Sequence, residues 1–497
     1  MKNTITEKEY DLLANACDQL LNARAYEFSR IANSSLHLIR EHPVFLKHYI
    51  PLFTKSTVFF NFFLLAKFLK YLSFGSLKLF QSLYFFILKG DHLILPNNSF
   101  DSLFISHFLN KNFLVNKDDF YFYSLPKKLQ ENNKRSLVAY INYTAEVNLK
   151  WKHNEVEKIT LPRYLSFFEE IKIRKALFKD AIKLLFGPVK GSLLNKVKLN
   201  AAVEALSPSS HFNLRLGVQI GKLVQRVSPK RIYITYEGHP WERIVFAYAR
   251  KINPNIKCIG YQHALIFRKQ HSIRRKLADQ FEPDFILFSG PRAREQFINS
   301  QYLPKERLLL FGSNRRFIAE RKKLAVNAVN KDTFLMLSEG DLIECIPLVE
   351  LIIKLAEKYS KLNFIIRFHP ITNIKQVFKI CPTLKTPPSN IILSDRSFEA
   401  DLERAHFALY RGSTTIIKAV QFGLIPVYYK RKNEISIDPL LEMKSKKVNI
   451  DETGVIEKIL QLKEDTLKEN QQALIRYVDQ FFSPIDYTVI EKLISTP

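Results

Sequence analysis

A chain of 497 residues with 75 Lys and Arg against 48 Asp and Glu carries a formal net charge of +27. At roughly 100–200 residues per domain it holds material for two or more domains, and its 46% hydrophobic and 25% charged residues exclude a disordered chain. Cys17, Cys258, Cys345 and Cys381 share no metal-binding or disulfide spacing, which excludes a zinc ribbon and a disulfide scaffold and points to a reducing compartment.

Residues 1–90 read as helical, with few turn signals and no apolar signal-peptide core in Met1–Leu20, so export is not expected. The most apolar stretch, Tyr49–Leu88, is interrupted by Lys55, Lys67, Lys70 and Lys78. No uncharged run therefore reaches the roughly 18 residues of a membrane span. The run Phe59–Leu65 beside these lysines fits an interfacial helix whose lysines reach up to headgroups. It fits equally a hairpin on the protein's own core. From His92 onward, short β-rich runs stand at Leu93–Leu95, Phe120–Leu125 and Ser136–Tyr143. Ile171–Lys198 is strongly basic, and its first half has helical amphipathic spacing; it suits an anionic lipid or polymer surface, or the solvated face of a core helix.

A strand–helix alternation follows: strand Arg231–Tyr236, helix Trp241–Lys251, strands Lys257–Tyr261 and Phe285–Ser289, helix Pro291–Ile298, strand Leu308–Phe311. A charged connection, Arg315–Lys331, separates it from a second series: Thr333–Leu337, helix Ile343–Tyr359, Asn363–Phe368, Asn390–Leu393, helix Phe398–Arg404, Phe407–Tyr410, helix Ser413–Phe422 and Leu424–Tyr429, with a helical tail over Gly454–Ile494. Repeated βα units predict an α/β protein of two doubly wound, Rossmann-type parallel-sheet domains facing a ligand cleft. The expected division is a helical region at 1–90, a first sheet domain at 91–320 and a second, with the tail, at 331–497.

In such sheets ligands bind beyond the carboxyl ends of the strands. Tyr236-Glu237-Gly238-His239-Pro240-Trp241-Glu242 follows one strand; Glu237 there suits a general base, whereas Glu242 suits a helix N-terminus. Arg367-Phe368-His369-Pro370 ends another, with His369 and Arg367 suited to a phosphate. Tyr410-Arg411-Gly412-Ser413-Thr414 opens a predicted helix and forms an anion seat, or simply an N-cap. Gln262-His263 and Ser338-Glu339 occupy two more strand tips. Without a Walker lysine motif, GxGxxG or DxD in strand–loop–helix context, ATP hydrolysis, dinucleotide binding and a metal-dependent sugar-nucleotide site lose support.

An acid-Gly motif, a His-Pro and an adjacent Ser/Thr pair, in that order over Arg231–Tyr429, resemble the bacterial sialyltransferases and related Kdo transferases that use CMP-activated sugars on a GT-B scaffold. Tyr236 departs from that pattern, standing where the first of two acids is usual. The resemblance implies Glu237 as the base, His369 on the CMP phosphate, and Ser413 and Thr414 holding it. An acid between the last two motifs would bind the ribose, with Glu399 best placed and Asp395 behind it. It further implies a nucleotide-sugar donor with neither cofactor nor metal, and a glycan or glycolipid acceptor of a bacterial surface. The place of action would be the cytoplasm, at the inner face of the plasma membrane and in peripheral contact with anionic lipid.

The nearest alternative is a polyol-phosphate transferase using CDP-glycerol or CDP-ribitol. Its usual His-Gly would fall at His263-Ala264, where the glycine is missing. A non-enzymatic protein binding an anionic polymer or membrane would account for the charge but leaves the three strand-tip motifs unexplained. No helix-turn-helix or RNP-like signature accompanies the charge, so nucleic acid is not the expected partner.

Overall fold

The computed structural model describes residues 4–88, 90–91, 93, 95–144, 146, 149–298, 303–315, 332–451, 456 and 464–495. Most of the Arg315–Lys331 connection, Ile94 of the expected run at Leu93–Leu95, and part of the predicted tail lie outside them.

The first sheet contains β1 (Ser102–Phe108), β2 (Ser136–Asn142), β3 (Glu157–Leu161), β4 (Arg231–Thr235), β5 (Lys257–Gln262), β6 (Phe285–Phe288) and β7 (Leu308–Leu310), in the order β3-β2-β1-β4-β5-β6-β7. The second contains β8 (Thr333–Leu337), β9 (Asn363–Arg367), β10 (Ile391–Leu393), β11 (Phe407–Tyr410), β12 (Ile425–Tyr429) and β13 (Val448–Ile450), in the order β10-β9-β8-β11-β12-β13. All paired neighbours are parallel. Both are doubly wound sheets in which the strand order reverses once, between β1 and β4 and between β8 and β11. This is the expected two-domain, GT-B-like α/β arrangement. The central strands read as unbroken apolar runs because helices cover both faces; Ile232, Tyr233 and Ile234 are fully buried, as are Leu335 and Met336.

Several elements differ from the sequence reading, which did not anticipate β3 or β13. The strand β1 was not expected, since Ser102, Ser106 and His107 interrupt its apolar pattern, yet it is an interior strand of its sheet, between β2 and β4. Phe120–Leu125 is no strand: the Asp119 carboxylate accepts the N–H groups of Tyr121 and Phe122, both at 2.8 Å, and Pro126 then opens the helix Leu125–Glu131. Local side-chain capture of the backbone overrides the aromatic β preference. The helix expected from Ser413 begins only at Ile416 and ends at Gln421.

Residues of the N-terminal 90 do not stand apart. Their helices Glu7–Asn22 and Thr57–Leu83 share one core with Phe167–Phe186, Ser192–Glu204 and Pro208–Val227, which packs on the helix Pro240–Ile252 of the first sheet. The chain end returns as well. After Glu464–Val478, packed on the second sheet, residues 480–494 cross to the first, where Ser483 N–H donates to Ser289, Asp486 N–H to Phe311, and Arg231 to the Leu493 and Ile494 carbonyls.

The helical layer is anchored by Glu170, which is buried and accepts from Arg215 Nε (2.6 Å), His211 Nε2 (2.5 Å) and the Leu165 N–H (2.8 Å). Burial works to raise Glu170, but these donors outweigh it and hold the carboxyl at about 2. Burial keeps His211 below its ordinary value, so at neutral pH Arg215 supplies the charge. A folded pKa below the unfolded one stabilises the native state above pH ~4.5, and that contribution disappears as pH falls through about 2. At 1.36 kcal/mol per pH unit it amounts to about 3 kcal/mol. Glu170→Gln is therefore expected to lower unfolding stability by about 3 kcal/mol at pH 7 and by much less at pH 2–3, measured by urea unfolding at both values.

Candidate functional site

On the first wall, β4 ends at Thr235 and the chain turns through Glu237, Gly238 and His239 into the helix Pro240–Ile252. Gly238 has φ +82°, and a side chain there would come within 2.5 Å of the Ile273 backbone nitrogen. Glu242 lies beneath this turn and accepts from the N–H groups of Glu237 (3.0 Å), Gly238 (2.8 Å) and His239 (2.8 Å). Burial pushes it up to about 7. It is a positioning residue for the turn, matching its expected helix-start role.

Glu237 itself is buried, with Oε2 at 2.5 Å from Arg40 Nη2 and 3.7 Å from His239 Nε2, and Oε1 at 3.7 Å from His263 Nε2. Burial alone would raise its pKa. The Arg40 guanidinium first, and then the nearby His239, outweigh that effect and hold the carboxyl well below the usual carboxylate range. His239 is raised, the two carboxylates overcoming its burial. His263 follows Gln262, whose amide donates to the Ala264 carbonyl and folds the β5 tip. Burial pushes His263 down to about 4 and His107 down to about 3, so both are neutral at pH 7. His107, on β1, meets Thr235 Oγ1 at 2.9 Å, and the rings of Tyr121, Tyr143 and Trp241 surround it at 5.0–5.7 Å. An aromatic and imidazole wall thus stands beside Glu237.

On the second wall, Ser338 Oγ accepts from the His369 N–H (2.9 Å) and donates to the Arg367 carbonyl (3.1 Å), tying the tips of β8 and β9 together. His369 Nδ1 accepts from the Ile371 N–H (3.3 Å), which leaves the ring proton on Nε2. Gly412 N–H donates to Glu339 Oε1 at 2.9 Å, and any side chain at 412 would run into that carboxylate. Ser413 Oγ and Thr415 Oγ1 lie 2.7 Å apart. With the helix starting only at Ile416, the polar seat consists of hydroxyls and one N–H rather than a long helix end.

A segment of the N-terminal region closes the cleft. The Leu38 carbonyl accepts from Ser272 N–H (3.0 Å) and Glu41 from Lys269 N–H (2.6 Å), and between them Arg40 reaches Glu237. His42 Nε2 lies 2.5 Å from Glu339 Oε2 on the other wall. The cavity so formed, about 260 Å³, is lined by Arg40, His42, Phe267, Glu339, His369 and residues 412–415. Of the predicted residues, Glu339, His369, Gly412, Ser413 and Thr414 line this cavity; Glu237 meets it through Arg40, and His239, Glu242, Gln262, His263 and Ser338 are outside its lining.

Three more predicted residues are outside the lining and engaged elsewhere. Arg367 turns to Asp401 (2.9 Å) and the Arg396 carbonyl (2.7 Å). Arg411 is buried between Glu344 and Glu434. Glu399 pairs with Lys418 on the surface. The sequence reading missed Arg40, His42, His107 and Tyr121; its one available signal was Arg40-Glu41-His42, three titratable residues before Pro43 at the edge of an apolar stretch. Among the described residues, His42, Glu339 and Glu344 bring metal-type donor atoms within 4.8 Å of one another. Arg411 already binds Glu344 and opposes a second cation there.

No protein-family model and no curated protein matches the chain. Solved structures similar to it include a UDP-GlcNAc 2-epimerase from Neisseria meningitidis bound to UDP-GlcNAc (12% identity, 80% of this chain and 100% of that one, TM-score 0.42). Others are the glycotransferase of kitacinnamycin (12%, 77% and 95%, 0.44) and a glycosyltransferase from Rickettsia africae (12%, 80% and 97%, 0.44).

Gly238→Ala should strain the turn that carries Glu237, through its positive φ and the Ile273 contact. The expected loss is about 2–4 kcal/mol of unfolding stability, read by denaturant titration.

Proposed function

We propose that this protein is a glycosyltransferase that moves an acidic, sialic acid- or Kdo-type sugar from a CMP-activated donor to a surface-glycan acceptor. The observation that carries the reading is one cavity that joins Arg40, which pairs with the buried carboxylate of Glu237, to His369, Gly412 and the hydroxyls of Ser413–Thr415. Glu237 takes the proton of the acceptor hydroxyl, in the general-base role. His369 Nε2–H, the Gly412 N–H and the neighbouring hydroxyls donate to the phosphate oxygens as CMP leaves. Tyr121 and Tyr143 beside His107 offer flat apolar faces suited to an acceptor sugar.

Arg40 supports the acidic-sugar part of the reading. It is a guanidinium in the cleft beside Glu237, and a sugar carboxylate would pair with it bidentately. Drawing Arg40 from Glu237 removes the charge that lowers this carboxyl, so donor binding strengthens the base when the acceptor arrives. Charge on the departing phosphate is met by hydrogen-bond donors, so no step requires a metal.

The assignment is tested by a thermal-shift panel of CMP, CDP, UDP and GDP; CMP is expected to raise the melting temperature most, and stabilisation by UDP alone would remove the CMP donor. Glu237→Gln should lower transfer at least a thousandfold while CMP still stabilises the variant, and EDTA should leave the wild-type rate unchanged. Arg40→Gln removes the cation that depresses Glu237, so the acid limb of the kcat/KM profile should move to higher pH by one unit or more. An unmoved limb would separate Arg40 from the ionisation of the base.

A further inference from the structure

The 49 residues from His42 to Gly90 contain no Asp or Glu. Their long helix, Thr57–Leu83, runs on through a π-helical turn, Tyr84–Leu88, and is apolar around most of its circumference. One side faces the protein: Phe60, Leu64, Gly75 and Ser82 are buried, and Lys67 and Lys78 turn inward to Glu204 and the Tyr164 hydroxyl. The Arg174 guanidinium occupies the space that a side chain at Gly75 would need and reaches the Tyr71 and Leu72 carbonyls at 3.4 Å.

The opposite side is exposed among the described residues. Val58, Phe62, Leu65, Leu69, Leu77 and Phe80 recur at helical spacing and are 77, 72, 54, 54, 51 and 70% exposed. At 1.5 Å per residue they form an apolar strip about 35 Å long, more than a monomeric soluble protein ordinarily leaves open. Lys70 stands exposed on the same helix. The adjoining helix Phe167–Phe186 exposes Phe178, Ile182 and Phe186 together with Lys172, Lys175 and Lys179. Between the long helix and the first sheet opens a cavity of about 290 Å³ whose walls include Lys78, Arg163, Arg174 and Arg215.

We infer that this helix docks the protein in the plane of an anionic lipid bilayer, its apolar strip among the acyl chains and the exposed Lys70, Lys172, Lys175 and Lys179 at the headgroups. Charge decides the occupant. An acid-free helix bearing lysines complements phosphate headgroups, whereas two copies placed strip to strip would bring like charges together. Length and composition alone would also allow the helix, Thr57–Leu88, to cross a membrane. Crossing would tear Lys67 from Glu204 and expose the Arg174 seat at Gly75, so the helix lies on the surface.

The test is sedimentation of the full chain with vesicles of phosphatidylcholine and phosphatidylglycerol at about 7:3, compared with phosphatidylcholine alone. The wild type should sediment at least tenfold more with the anionic vesicles, release at 0.5 M NaCl, and come off in alkaline carbonate. The Phe62→Asp/Leu69→Asp/Phe80→Asp variant, altered only at exposed positions, should lose at least tenfold in partitioning with an unchanged melting temperature. Should it misfold, Phe62→Ser/Phe80→Ser serves the same comparison, and the wild-type vesicle result stands without either. Wild type left in the supernatant, or sedimenting equally with neutral vesicles, overturns the proposal. So does retention after carbonate, which indicates a span, or a dimer in light scattering that the triple variant splits, which assigns the strip to a second copy.

Discussion

Arg40 and Glu237 form the contact on which the cleft depends. A carboxylate taken out of water at a strand tip is costly to ionise, and the strongest attraction that keeps Glu237 charged comes from outside its own domain. The guanidinium arrives on a segment that also delivers His42 to Glu339 on the far wall. One stretch of three residues therefore sets the electrostatics of both walls. It can do so because Ser272 and Lys269, in the loop after β5, hold its backbone and the Glu41 side chain on either side of Arg40. The helical region has a part in the site as well as covering the first sheet.

Strand order dictates where the rest of the polar groups stand. In each sheet the order reverses at one point, and the loops leaving the strands on either side must diverge there, opening a crevice. His107 lies near the end of β1 and Glu237 follows β4; Glu339 and Gly412 follow β8 and β11. The register keeps these tips level, with Leu337 opposite both Arg367 and Tyr410.

The same logic explains what was legible in the sequence. Strands β4, β5, β8, β9, β11 and β12 announce themselves as short apolar runs, and of the polar residues after them Glu339, His369, Gly412, Ser413 and Thr414 line the cavity. β1 was hidden because a strand buried on both faces can carry serines and a histidine when its neighbours supply partners, as Thr235 does for His107. Arg40 and His42 were hidden for another reason. Nothing local marks a residue that acts some 200–300 positions away, and only tertiary packing brings it there. Arg367 and Arg411 were misleading in the opposite sense: cations next to a phosphate motif, but each faces a buried acid, Asp401 and Glu344, that the motif does not reveal.

These internal pairings alter the meaning of the positive charge. Arg30 on Asp180, Arg243 on Glu282, Arg275 on Asp18 and Lys447 on Asp438 are likewise matched inside the protein. The surplus therefore falls on the surface, conspicuously in the acid-free stretch that bears the apolar strip, and the cleft is not its main seat. Within the cleft, anion-binding groups are already engaged by the protein's own carboxylates: Glu237 holds Arg40, and Glu339 holds His42 and the Gly412 N–H. In the proposed reaction a phosphate and a sugar carboxylate would compete for these positions rather than enter vacant ones. Binding would then move Glu237 and Glu339 out of their pairings together, so that the base loses its restraining cation only when the donor is in place.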